Sequence, residues 1–170
     1  MKKLIPMFVL AAATLPAQVL TTATINRYFN PVRGNMEAAA EAMPEGKYNY
    51  KITPDQMSFS EWLLHSVERN YLDCATLKGE PIPMDAKQVA AIKGKEAVTK
   101  AVKESFAYCA AALQAMDDKK ATSTPEMAIA FLHTVVHNNE IYGNMVGYLR
   151  LNGILPPSTA RMQQMMKGKK

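Results

Sequence analysis

The chain of 170 residues is poor in the side chains that most often carry chemistry, with three histidines, two cysteines and one tryptophan. Beyond its first residues it lacks any run approaching the ~20 consecutive apolar residues that a membrane-spanning helix needs, so no transmembrane span is expected. There is no Cys-x-x-Cys, the usual redox pair. Alternating apolar and polar residues are absent, as is any internal repeat, which argues against strands and solenoids and for an all-α fold. Nor is there a Ser/His/Asp set or a working carboxylate pair. Asp117 and Asp118 fall in a predicted turn, and Ser58 and Ser123 read as helix caps.

The formal charge of +5 is concentrated at the two ends of the chain. Lys2 and Lys3 open it, and Arg161, Lys167, Lys169 and Lys170 lie near its close. Between them, residues 18–160 carry 14 Lys/Arg against 15 Asp/Glu. A near-neutral body without a basic stripe or interleaved aromatics argues against nucleic acid as a partner.

Met1-Lys2-Lys3, an apolar run over residues 4–13 and the small-residue end at Ala17 form the pattern of a secretory signal peptide. Cleavage is expected after Ala17, with Ala23 as the alternative. The protein is therefore expected in the periplasm or outside the cell. Removal of residues 1–17 leaves a domain over residues 18–157 and a basic, Met-rich tail over 158–170. Met162, Met165 and Met166 stand at helical spacing, a pattern better explained by packing than by a copper-binding cluster.

Export makes a disulfide the first expectation for Cys74 and Cys109. Cys74 shares a helical stripe with Leu63, Val67 and Leu77, and Cys109 one with Val102, Phe106 and Leu113, so both point coreward. Two buried thiols are the alternative.

Four long helices are expected. The first covers residues 19–42 with a kink or break at Asn30-Pro31. The second opens on the capping box Ser58-Phe59-Ser60-Glu61 and stops near Gly79. A short helix after Asp85 precedes the third, over 95–116, and the fourth opens on a second capping box, Ser123-Thr124-Pro125-Glu126, and runs to about Asn152. The long connections suggest a four-helix bundle with a crossover.

His133 and His137 are one turn apart and share a helix face, and His65 stands on another predicted helix. Three imidazoles with an open fourth position would make a reactive metal site. Isolated histidines are also common as hydrogen-bonded structural residues, and both readings stand at this point.

The order of motifs is more specific. Glu41-Ala42-Met43-Pro44-Glu45-Gly46-Lys47-Tyr48 precedes Ser58-Phe59-x-Glu61-x-Leu63-x-His65 and Leu77-Lys78-Gly79-Glu80-Pro81. His137-Asn138-Asn139-Glu140-x-Tyr142-Gly143-Asn144 and Tyr148-Leu149-Arg150-Leu151-Asn152-Gly153 follow. The chain resembles the DinB-like superfamily, in its exported bacterial branch, over nearly all of the mature sequence. The resemblance implies a four-helix bundle holding a divalent ion (zinc, nickel, iron or manganese) with one histidine from the second helix and two, four residues apart, from the last long helix. His65 and His137 match two of these positions; the third falls on Ile141, and His133 or Glu140 is left to complete the set. A low-molecular-weight thiol or other small-molecule substrate, thiol-transferase or hydrolase chemistry and a homodimer are further implications. The alternative is a metal-free bundle that serves as a binding or structural module. Tyr142, Tyr148 and Asn144 would line the open end of the bundle in some geometries and are equally well explained as rim packing, so no catalytic role is assigned to them.

Overall fold

The computed structural model describes residues 21–168 and contains helices and no strand among them. The signal-peptide assignment lies outside the described residues. Helix α1 (Thr22–Ala42) starts at Thr21, whose hydroxyl accepts from the Thr24 amide. Pro31 was expected to kink or break this helix; α1 is not broken there and continues through it. Pro31 removes a hydrogen bond to the carbonyl of residue 27, and both Pro31 and Arg27 are exposed, so water can satisfy that carbonyl.

The second long helix, α2 (Phe59–Lys78), opens on the predicted capping box: the Ser58 hydroxyl receives the Glu61 amide and the Glu61 carboxylate receives the Ser58 amide. It ends on Gly79 in the left-handed conformation, φ 71°. Short α3 (Ala86–Ala90) lies in the connection to α4 (Lys95–Gln114). Asp117-Asp118-Lys119-Lys120, expected as a turn, is a single helical turn, α5 (Asp118–Ala121), because the Asp117 carboxylate caps it at the Lys120 amide. Helix α6 (Pro125–Leu151) is capped by Thr124 accepting from the Met127 amide. The expected capping box led by Ser123 is thus corrected by one residue, and the Ser123 hydroxyl instead donates to the Lys120 carbonyl. The tail forms a further helix, α7 (Pro157–Lys167), packed on α1.

The four long helices form a bundle in which α2 adjoins α4 and α6, and α1 adjoins the same two from the other side. Paired contacts give the directions. Asn70 meets Ser105 and Cys74 meets Cys109, so α2 and α4 run parallel. Trp62 meets Tyr148 and Asp73 meets His133, so α2 and α6 run antiparallel. Parallel neighbours need a long return connection, which residues 79–94 supply with α3; this is the crossover expected from the loop lengths. Phe29, Met36, Phe59, Leu63, Val67, Phe106, Ile141, Met145 and Tyr148 are fully buried between the helices. The strap between α1 and α2 is held by Tyr48, whose hydroxyl donates to the Ala40 carbonyl at 2.5 Å and whose ring meets Phe59 edge-on.

Cys74 and Cys109 form the expected disulfide, with Cα atoms 5.2 Å apart and both side chains out of contact with solvent. Beside it runs a polar thread that hydrophobic patterning does not show. Asn138 accepts from the Ser66 hydroxyl at 2.5 Å and donates to Asn70 at 2.8 Å and to the Thr134 carbonyl at 2.9 Å. Asn70 donates to Ser105, which donates to the Val102 carbonyl. Ser66, Asn70, Ser105 and Asn138 are all buried, and the thread ties α6 to α2 and α2 to α4.

Two outcomes follow. Replacing both cysteines by alanine should lower stability to denaturant by about 3–4 kcal/mol, the chain-entropy value for a loop of this length, with native helix content retained. Asn138→Leu should cost about 2–4 kcal/mol by leaving the Ser66 hydroxyl and the Asn70 carbonyl buried and unpaired. Adding Ser66→Ala to that variant should recover part of the loss in a double-mutant cycle, because one orphaned group is then removed.

Candidate metal centre

The antiparallel seam of α2 and α6 assembles all three histidines. Its register is fixed below the surface by Ser66, Asn70 and Asn138, and the outward neighbours of these residues are His65, Arg69 and His137. His65 Nε2 and His137 Nε2 stand 3.0 Å apart with their rings nearly perpendicular. In that geometry one nitrogen carries the proton and the other accepts it. Two bonds of about 2 Å to one ion would hold ligand nitrogens about 3–3.5 Å apart, so the same pair has the spacing of two ligands to a shared cation.

His133 lies one turn away and stacks on His137, with ring centroids 4.5 Å apart and planes 18° from parallel. Its Nδ1 is 2.7 Å from Asp73 Oδ2, and Arg69 reaches the other carboxylate oxygen at 3.0 Å. Arg69 Nη2 also lies 3.3 Å from His133 Nδ1, but a guanidinium only donates. The short contact to Asp73 assigns the Nδ1 proton to His133, which leaves Nε2 with its lone pair free. A carboxylate behind an imidazole is how metal-binding and basic histidines are commonly oriented. Asp73, whose side chain is 8% exposed, is a site residue that reading the sequence missed. Locally it shows only in the Arg69–Asp73 pair, one turn apart on α2, and its partner His133 lies 60 residues on in the chain.

Burial lowers the pKa of His137 from its ordinary value, and repulsion by His133 and His65 lowers it further, against a smaller upward pull from Glu140. Glu140 Oε2 is 3.4 Å from His137 Nδ1 and largely exposed. His137 therefore stays neutral at pH 7, the form that can donate a lone pair.

Ile141 is fully buried and belongs to the apolar core. Among the described residues no group of three His, Cys, Asp or Glu side chains has the arrangement to hold an ion. The pair His65–His137 is thus assembled, while His133 is held by Asp73. The rim residues behave as expected: Tyr148 is buried and donates to the Met57 carbonyl at 2.5 Å while accepting from Trp62, and Tyr142 bonds Ser158. Asn144 only returns to the Glu140 carbonyl of its own helix.

On the α2 side, His65 also forms part of the wall of an open cavity of about 380 Å³, within the range of small-molecule sites. Lys51, Gln56, Met57, Leu64 and Glu68 complete much of that wall. Gln56 Oε1 is buried without a hydrogen-bond partner.

The lowered pKa of His137 has a sign that can be checked in metal-free protein. An unfolded histidine takes its proton near 6.5, the folded one only at lower pH. Below about 6.5 the unfolded state therefore binds more protons, and stability should fall as pH drops through this value until the folded group also protonates. Denaturant midpoints from pH 8 to 5 in the presence of chelator should show that slope, and His137→Gln should flatten it. An unchanged slope in the variant would assign the effect to other groups.

A family model described as the DinB superfamily matches residues 28–140, a stretch that includes His65, Asp73, His133 and His137 and ends before Ile141. Neither a curated protein nor a solved structure matches the chain. The match covers more than half of the sequence and agrees with the helical bundle and the motif order, and the chain belongs to the DinB superfamily.

Proposed function

We propose that this protein is exported and holds a divalent transition-metal ion (zinc, nickel, iron or manganese) through His65 and His137, with His133 as third nitrogen. The ion would serve thiol-transferase or hydrolase chemistry on a small molecule. The observation that carries the reading is the 3.0 Å approach of two ring nitrogens from separate helices, one of them kept neutral by burial. When bound, a divalent ion lowers the pKa of a thiol or water and so supplies a thiolate or hydroxide nucleophile. The chain's own part is to present the imidazoles of His65 and His137, to orient His133 through Asp73 and Arg69, and to offer the cavity beside His65 to the substrate.

A second reading, a metal-free binding or structural module, is supported by Ile141 in the core where the resemblance implies a third ligand. Titration of zinc, nickel, iron(II) or manganese into chelator-treated protein separates the two. Wild type should bind at least one of these ions tightly, and His65→Ala or His137→Ala should abolish binding. His133→Ala should weaken it by about a hundredfold and Asp73→Asn by about tenfold, the usual range for loss of a ligand's carboxylate partner. Binding that survives His133→Ala unchanged would remove His133 from the set. No binding of any ion by wild type would establish the metal-free module, and a gain of affinity in Ile141→His would then identify the residue whose replacement cost the site.

A further inference from the structure

The last stretch of the chain carries a surface that the histidine site does not use. No aspartate or glutamate occurs after Glu140, whereas Arg150, Arg161, Lys167, Lys169 and Lys170 all lie beyond it. Helix α7 is pinned by one side only: Ser158 bonds Tyr142, Arg161 donates to Asn35, and Ala160, Arg161 and Gln164 face Gly34, Ala38 and Ala42 of α1 across a groove. At 100° per residue, Met162 and Met166 fall on the opposite side, and Met165 flanks them beside Ser158. They are 53%, 58% and 58% exposed, and Leu151 and Leu155, on the approach to α7, are also exposed. The nearby α1 carboxylates do not offset the charge, since Glu37 is paired with Arg33 and Glu41 with Lys103.

We propose that α7 docks this protein on an anionic lipid surface, with the methionine face entering the headgroup boundary and the lysines at its end meeting the lipid phosphates. An apolar stripe beside uncompensated positive charge, on a short helix with no net hydrophobicity, is the pattern of a helix lying in a membrane interface. Methionine suits such a surface because its unbranched thioether adapts to irregular partners. The charge also selects among occupants: a second copy seated face to face would bring the same lysines together, and anionic headgroups complement them.

The test uses the full chain, in which the Cys74–Cys109 disulfide leaves an introduced cysteine as the one free thiol. An environment-sensitive fluorophore is placed at Met166→Cys, on the outer face, or at Gln164→Cys, on the exposed edge that faces α1. Mixed with phosphatidylglycerol-containing vesicles at low salt, the label at 166 should shift to the blue and become accessible to a lipid-borne quencher, while the label at 164 stays in water. Phosphatidylcholine vesicles should give neither change. Lys167→Gln, Lys169→Gln and Lys170→Gln together should weaken vesicle binding on the order of a hundredfold, with helix content unchanged by circular dichroism. A label at 166 that stays in water on phosphatidylglycerol vesicles would overturn the proposal, as would an equal response on phosphatidylcholine. A shift that grows with protein concentration without vesicles would overturn it in favour of self-association.

Discussion

The register between α2 and α6 is set by one buried amide, and the histidine site inherits its geometry from it. Asn138 uses its carbonyl and both amide protons on Ser66, Asn70 and the Thr134 carbonyl, all out of reach of water. Sliding α6 by one turn, about 5.4 Å, would leave those groups buried and unpaired, at a cost far above that of shifting apolar contacts. The same register brings Trp62 to Tyr148, His65 to His137 and Asp73 to His133. The close approach of two imidazoles on the half-buried surface is thus maintained by interactions beneath it, which do not depend on an ion.

Helix α2 is the hub because it contacts α6 through these polar pairs and α4 through the disulfide and the Asn70–Ser105 bond. Parallel neighbours joined by a long connection have a high entropic cost of closure, and the crossover over residues 79–94 is such a connection. A covalent link between the two helices offsets that cost in the unfolded chain. The disulfide thus carries part of this pairing, which without it would rest on packing and the Asn70–Ser105 bond alone.

Much of this was readable in the sequence because it follows from local rules. Ser58 with Glu61 specified a capping box, Gly79 a helix stop, and the apolar stripes through Cys74 and Cys109 gave their inward direction. What escaped depended on partners distant in the chain. Ser66, Asn70 and Asn138 look like ordinary helical polar residues until α2 and α6 are laid side by side, and Asp73 gains its role only opposite His133. Pro31 does not break α1, since at an exposed position water can take up the carbonyl that its missing N–H leaves free. Asp117-Asp118-Lys119-Lys120 likewise read as turn chemistry, although an aspartate at its start caps a helical turn equally well.

Positions 133 and 141 are each one turn from His137, in opposite directions along α6, and their surroundings explain how the proposed site would differ between them. At 141 the side chain is enclosed by apolar core, where an imidazole without an ion would lack a hydrogen-bond partner. At 133 the imidazole is satisfied without an ion, through Asp73 and Arg69. A histidine at 141 would thus be driven to coordinate, whereas His133 is stable either way. For His133 to join His65 and His137 it must keep the Asp73 bond through Nδ1 and turn its Nε2 out of the stack on His137. The strength of the third bond is then set by a competition between that ring stacking and the ion. Moving the third nitrogen from 141 to 133 would exchange an obligatory metal site for one whose occupancy follows metal supply, while the bundle, stapled independently by Asn138 and the disulfide, folds in either state.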